Sequence, residues 1–100
     1  NVALCLAKLG ERDEALRAAA AALEAGPASA DTRYGVAAVH ALVGDPRQAL
    51  VLLEQALDLG ASPSLAEQDD EFAAVRALPG FRSVISKARA ARIKEVKRAS

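Results

Sequence analysis

Gly44-Asp45-Pro46-Arg47-Gln48-Ala49-Leu50-Val51-Leu52-Leu53-Glu54-Gln55-Ala56-Leu57-Asp58-Leu59-Gly60 reads as one amphipathic helix with its start and stop signals intact. Asp45 is an N-cap, whose carboxylate accepts a free backbone N–H of the first turn. Pro46 stands at the first helical position, where its missing N–H costs nothing and its fixed φ suits a helix. Leu50, Leu53 and Leu57 recur at i, i+3 and i+7, with Ala49 and Ala56 beside them. Gly60 supplies the left-handed residue that closes the last turn. The spacing predicts a helix over 46–59. The same pattern occurs earlier: Gly10, Ala15, Leu16, Ala22, Leu23 and Gly26 precede Gly44, Ala49, Leu50, Ala56, Leu57 and Gly60 by one constant step of 34 residues.

Working outward, the composition fits this helical reading. About a quarter of the 100 residues are alanine, the best helix former, and the aromatic residues are only Tyr34, Phe72 and Phe81. β-branched residues never alternate over the length of a strand, so the chain is expected to be all-α. A core this thin in aromatics relies on close helix approach rather than bulky filler. No Met opens the chain, which reads as a piece of a longer protein. No secretory signal is visible, and no apolar run reaches the ~18 residues of a membrane span. Cys5 is a lone cysteine and forms no internal disulfide, so a reducing, cytoplasmic setting is expected, with Cys5 as a small buried hydrophobe.

Along the chain, Val2, Cys5, Leu6 and Leu9 share a face of a first helix that Gly10 ends. A second helix covers 11–25, with Glu11, Asp13 and Glu14 in its first turn, where the helix dipole favours acids. Gly26-Pro27 stops it. Ser29 or Asp31 caps a third helix running to Val43. One of its faces carries Val36, Ala37, His40 and Val43, the other Asp31, Tyr34, Ala38, Ala41 and Leu42. After Gly60 the step fails. Residues 61–68 read as a connector, with Ser62-Pro63 starting a single turn. Asp69 or Asp70 caps a short helix through Leu78 that buries Phe72 and Val75. Pro79-Gly80 breaks it, and Phe81, Val84, Ile85 and Ala88 mark a last helix whose apolar stripe fades past Ala91. Lys87, Arg89, Arg92, Lys94, Lys97 and Arg98 face only Glu95 there, leaving seven basic against twelve acidic residues in the rest of a chain with 13 of each.

A 34-residue step of two antiparallel helices resembles the tetratricopeptide repeat. The residues carrying the resemblance are Val36-Ala37, His40, Gly44, Ala49, Leu53, Ala56 and Leu57, and, one step earlier, Val2-Ala3, Leu6, Gly10, Ala15, Ala19, Ala22-Leu23 and Pro27. His40, Leu53, Leu6 and Ala19 replace the family's aromatics, so looser packing is expected. The resemblance implies antiparallel hairpins stacked as a short right-handed solenoid: two hairpins over 1–61, the first truncated at its start, then a connector, a short helix and a basic capping helix over 62–100. Small residues mark close approach: Ala37 and Ala49 where the helices of one hairpin cross, Ala56 where a hairpin meets its successor. Asp69-Asp70-Glu71-Phe72, Val75-Arg76 and Pro79-Gly80-Phe81 also look like the segment that closes tetratricopeptide regions in many multidomain bacterial proteins, kinases among them.

The resemblance further implies a concave groove lined by the first helix of each repeat. Here that is Leu4, Ala7 and Lys8, then Asp31, Tyr34, Ala38, Ala41 and Leu42. The expected function is a non-catalytic protein–protein interaction scaffold that holds a peptide or partner helix there. Leu4 and Gly35 stand where some members carry residues that clamp a C-terminal carboxylate, so a clamp of that kind is not expected. The alternative is a regulatory or dimerising appendage of a bacterial signalling enzyme, with self-association in place of a ligand. No enzyme activity, metal or cofactor is expected. His40 has no second histidine, cysteine or ordered carboxylate pair to complete a zinc site or a triad, and reads as a packed, hydrogen-bonded ring. Glu67, Asp69, Asp70 and Glu71 lack the spacing of a calcium loop and read as helix capping. The basic tail surrounds its helix without interleaved aromatics, which points to a solvated helix rather than a nucleic-acid or membrane surface.

Overall fold

Three helices end in the same way. Gly10 donates its N–H to Ala7 O (3.1 Å) and Glu11 to Leu6 O (2.9 Å). The pairs Gly44 to Ala41 (3.4 Å) and Asp45 to His40 (2.9 Å) repeat this one step later, and Gly60 to Leu57 (3.1 Å) and Ala61 to Ala56 (3.0 Å) repeat it again. These are Schellman closures, in which a left-handed residue lets two N–H groups satisfy carbonyls orphaned at the helix end. Gly44 has φ +92°, which only glycine adopts without strain. The residue after Gly44 begins the next helix at once: Asp45 Oδ1 accepts from Gln48 N at 3.3 Å, with Pro46 in the first turn. The first two reversals each take three residues, so the helices Val2–Lys8 and Arg12–Glu24, and Ala30–Leu42 and Pro46–Asp58, pair as hairpins, while the third closure lies in a four-residue link.

The computed structural model describes residues 2–25 and 29–99, with side chains through Lys94. The Gly26-Pro27 stop and the side chains of Glu95, Lys97 and Arg98 lie outside the described residues. In order come α1 (Val2–Lys8), α2 (Arg12–Glu24), α3 (Ala30–Leu42), α4 (Pro46–Asp58), α5 (Pro63–Gln68), a 3₁₀ turn (Asp70–Phe72), α6 (Ala73–Arg76) and α7 (Gly80–Ala99). No strand occurs among the described residues. The fold is all-α, as expected.

Several boundaries differ from the sequence reading, for local reasons. Val43 and Leu59 are C-caps rather than helical residues, because each Schellman closure takes the residue before its glycine. Glu11 and Ala25 likewise flank α2. Ser29, not Asp31, caps α3, its Oγ accepting from Thr32 N at 3.2 Å. The connector holds a six-residue helix, since Ser62-Pro63 repeats the start signal of Asp45-Pro46 and Ser62 Oγ accepts from Leu65 N at 3.2 Å. The segment expected as one helix through Leu78 is a 3₁₀ turn followed by α6, and it ends at Arg76.

α3 is the hub. It pairs most extensively with α4, rests against α1 and α2 on one flank, and meets the 3₁₀ turn and α6 on the other. Both of its faces are therefore covered: Val36, Ala37, Ala38, Val39 and Ala41 are all buried. Ala15, Ala49 and Ala56 are buried as well. Phe72, Leu53, Val39 and Val75 are the largest fully buried side chains. α4 also supports α6 and α7. Among the described side chains, α7 packs through Phe81, Val84, Ile85 and Ala88, and Ala91 is already exposed. The molecule measures 46 × 31 × 17 Å along its principal axes.

Candidate functional site

The eight residues expected to line a groove come from α1 and α3. Helical spacing puts Tyr34, Ala38 and Ala41 in one row, and Leu4, Ala7 and Lys8 in another. Ala7, Ala38 and Ala41 are buried, Leu4 and Tyr34 are half-buried, and Lys8, Asp31 and Leu42 are exposed. The face they form meets the chain's own residues 69–72. Tyr34 donates its hydroxyl to Asp69 Oδ2 at 2.9 Å. Its ring meets Phe72 edge-on, with centroids 5.1 Å apart and planes at 83°. That is the arrangement aromatic quadrupoles favour. From α1, Lys8 Nζ reaches Glu71 Oε1 at 3.1 Å.

Asp69 ties this segment together. Its Oδ1 caps the 3₁₀ turn by accepting from Glu71 N at 3.0 Å, while Oδ2 accepts from the Tyr34 hydroxyl. Its carbonyl accepts from Arg76 Nη1 at 2.7 Å. Burial, the bond to Asp69 and the charges of Asp69 and Glu71 together push the Tyr34 phenol far above its usual range, so it stays a donor. Sequence reasoning placed Asp69 and Phe72 in a separate closing segment and Tyr34 on a groove face, open to a ligand or covered by the C-terminal helices or by further repeats. The pairing of two residues 35 apart needs the third dimension, although the spacing is close to one repeat step.

No family model, curated protein or solved structure matches the chain. What it can do has to come from its own geometry.

The remaining expected residues sort by partner. Of the acidic run, Asp69 caps, Glu71 pairs with Lys8 and Glu67 pairs with Arg89 at 2.5 Å, while Asp70 is exposed. Among the described residues, no three His, Cys, Asp or Glu side chains are grouped to hold a metal ion. His40 is packed as expected but is not hydrogen-bonded at Nδ1, which is buried with the Asp45 carboxylate 4.0 Å away. Burial lowers its pKa and outweighs the opposing pull of Asp45, so the ring is neutral at pH 7 and the pair is not an ion pair there. Cys5 is exposed rather than buried; among the described residues α1 packs chiefly against α2 and α3. Among the described residues no helix is long and apolar enough to cross a membrane.

Proposed function

We propose that the chain is a tetratricopeptide-type helical-repeat module that serves protein–protein association and carries out no chemistry of its own. The observation that carries this reading is an unequal pair of faces in the same register. Val36 and Val39 of α3 and its C-cap Val43 stand at i, i+3 and i+7, and Val2, Cys5 and Leu9 occupy the same positions one step earlier. Val36 is 3% exposed, whereas Val2 is 72% and Leu9 76% exposed. Among the described residues α3 packs against α1, α2, α4, the 3₁₀ turn and α6, and α1 chiefly against α2 and α3. The open flank of α1 thus has the chemistry of a helix-stacking surface.

A partner suited to that flank is a helical hairpin that brings small residues close, as α1 and α2 do toward α3. A peptide laid across the α1/α3 face would find Tyr34 engaged by Asp69 and Phe72, and Ala38 and Ala41 buried. It is left the rim of Lys8, Asp31 and Leu42. Association through the open flank is therefore the better supported form of the scaffold reading, and a second copy of the chain is one candidate occupant.

The test compares the chain with a Val2→Glu/Leu9→Glu double variant as baits in quantitative co-purification, alongside sedimentation velocity of each alone. Partners, or self-association, present with the parent and lost in the variant support the reading. Cys5 then reacts more slowly with an alkylating reagent in the bound state. Equal retention by the variant, with Cys5 reacting at the free rate, refutes it.

A further inference from the structure

A cavity of about 380 Å³ opens between α5, α6 and the first half of α7. Its charged lining is unbalanced: Arg76, Arg82 and Arg89 face it against one carboxylate, Glu67. Arg82, Ser86 and Arg89 lie at i, i+4 and i+7 and so project from one face of α7, while Arg76 enters from α6. Phe81 and Ile85, both nearly fully buried, form the apolar floor. We propose that this notch binds a phosphomonoester, of the kind carried by a phosphorylated side chain of a partner protein.

Three features carry the assignment. First, the notch already holds one oxyanion: Glu67 Oε1, itself buried, sits 2.5 Å from Arg89 Nη2. Second, Arg82 has no hydrogen bond or ion pair among the described residues, so one guanidinium fork there is uncommitted. Arg76 spends one nitrogen on Asp69 O and Arg89 one on Glu67, and each fork has further donors. Third, guanidinium forks match the planar pairs of oxygens that a phosphate presents, and a phosphomonoester brings three acceptor oxygens and close to two negative charges at neutral pH. Ser86 adds a hydroxyl donor at the same wall. A concave, three-arginine site favours a compact dianion over a flat membrane surface. Glu67 is then the built-in competitor, and its carboxylate must share Arg89 with the ligand.

The test is titration of the ¹⁵N-labelled chain with phenyl phosphate and with inorganic phosphate at constant ionic strength and pH 7.5, read by amide and arginine Nε–H shifts. Saturable shifts are expected, confined to residue 76 and residues 82–89. Affinity should fall about fivefold or more in Arg82→Gln and rise about threefold in Glu67→Gln, where the competing charge is gone. It should weaken as the pH drops to 5 and the phosphate takes up its second proton, whose pKa is about 6. Arg82 supports nothing else, so Arg82→Gln should keep the parent melting temperature. Non-saturating shifts spread over Arg12, Arg17 and Lys94, affinity indifferent to Arg82, or binding to phosphatidylglycerol vesicles without binding to either phosphate would overturn the assignment.

Discussion

Tyr34 and His40 lie on the same helix and respond to pH in opposite senses. Tyr34 donates a hydrogen bond to Asp69, and its raised pKa means that the folded state keeps the phenol proton when the unfolded chain begins to lose it. The stabilisation is complete below the unfolded value of 10.0 and is lost as the pH rises above it. Tyr34→Phe should cost about 1.5–3 kcal/mol near neutrality, because a hydrogen bond to a carboxylate is removed, and it should flatten the alkaline limb of a denaturation profile. His40 works the other way. Its folded pKa lies below the usual histidine value of 6.5, so the unfolded chain binds the proton first. The contribution is complete above that value and is lost as the pH falls through it. In urea denaturation, His40→Phe should therefore gain stability relative to the parent at pH 5 compared with pH 7.5. An unchanged difference between the two pH values would show that the ring is not desolvated. Neither behaviour could be read from the sequence. Tyr34 stood on a helix face that could equally have been open, and the cap at Asp45 gave no distance to His40.

The helix junctions were the most legible elements. Gly44-Asp45-Pro46 states a C-cap, an N-cap and a first turn in three residues, and the structure uses all three. Ser62-Pro63 is the same signal, and it builds a longer helix than the single turn expected because Ala66, buried beneath it, anchors the segment. Asp69 was legible as a cap, but the 3₁₀ turn that follows it was not. The Asp69 side chain can cap only by turning the chain, and that turn is what carries Phe72 under Tyr34. Gly44→Ala should cost about 1–2 kcal/mol through backbone strain alone, since the added Cβ meets nothing within 4 Å. Ala49→Leu tests packing instead. Ala49 has no exposure, and overpacking there should cost about 1–3 kcal/mol. Thermal melts that rank both variants with the parent would remove the two junction arguments together.

At the level of the molecule, two hairpins share one plan and differ in filling. Where α3 and α4 place Val39, Leu52 and Leu53, α1 and α2 place Cys5, Ala18 and Ala19. A buried aliphatic side chain contributes about 1.5–3 kcal/mol, so the first hairpin is the weaker one by several such increments. Amide exchange should open α1 and α2 well before α3 and α4, in separate cooperative steps. Uniform protection across all four would contradict the ranking. Phe72→Ala, which empties the largest fully buried site, should cost about 3–5 kcal/mol and should release the 69–76 segment from α3. The repeat step disclosed the hairpins and their small-residue contacts. It could not disclose which faces stay open, because exposure depends on what lies beside a helix, not on what it is made of. Val2 and Val36 are the same residue in the same register with opposite surroundings.

α7 spans 20 residues and leaves the core after Ala88. A continuous α-helix advances about 1.5 Å and turns about 100° with each residue. Anything joined rigidly to its far end is thereby set at a fixed azimuth and distance from α4. Lengthening that strut by one residue would swing the attached body by more than a quarter revolution, while four residues would nearly restore the heading and carry it about 6 Å farther out.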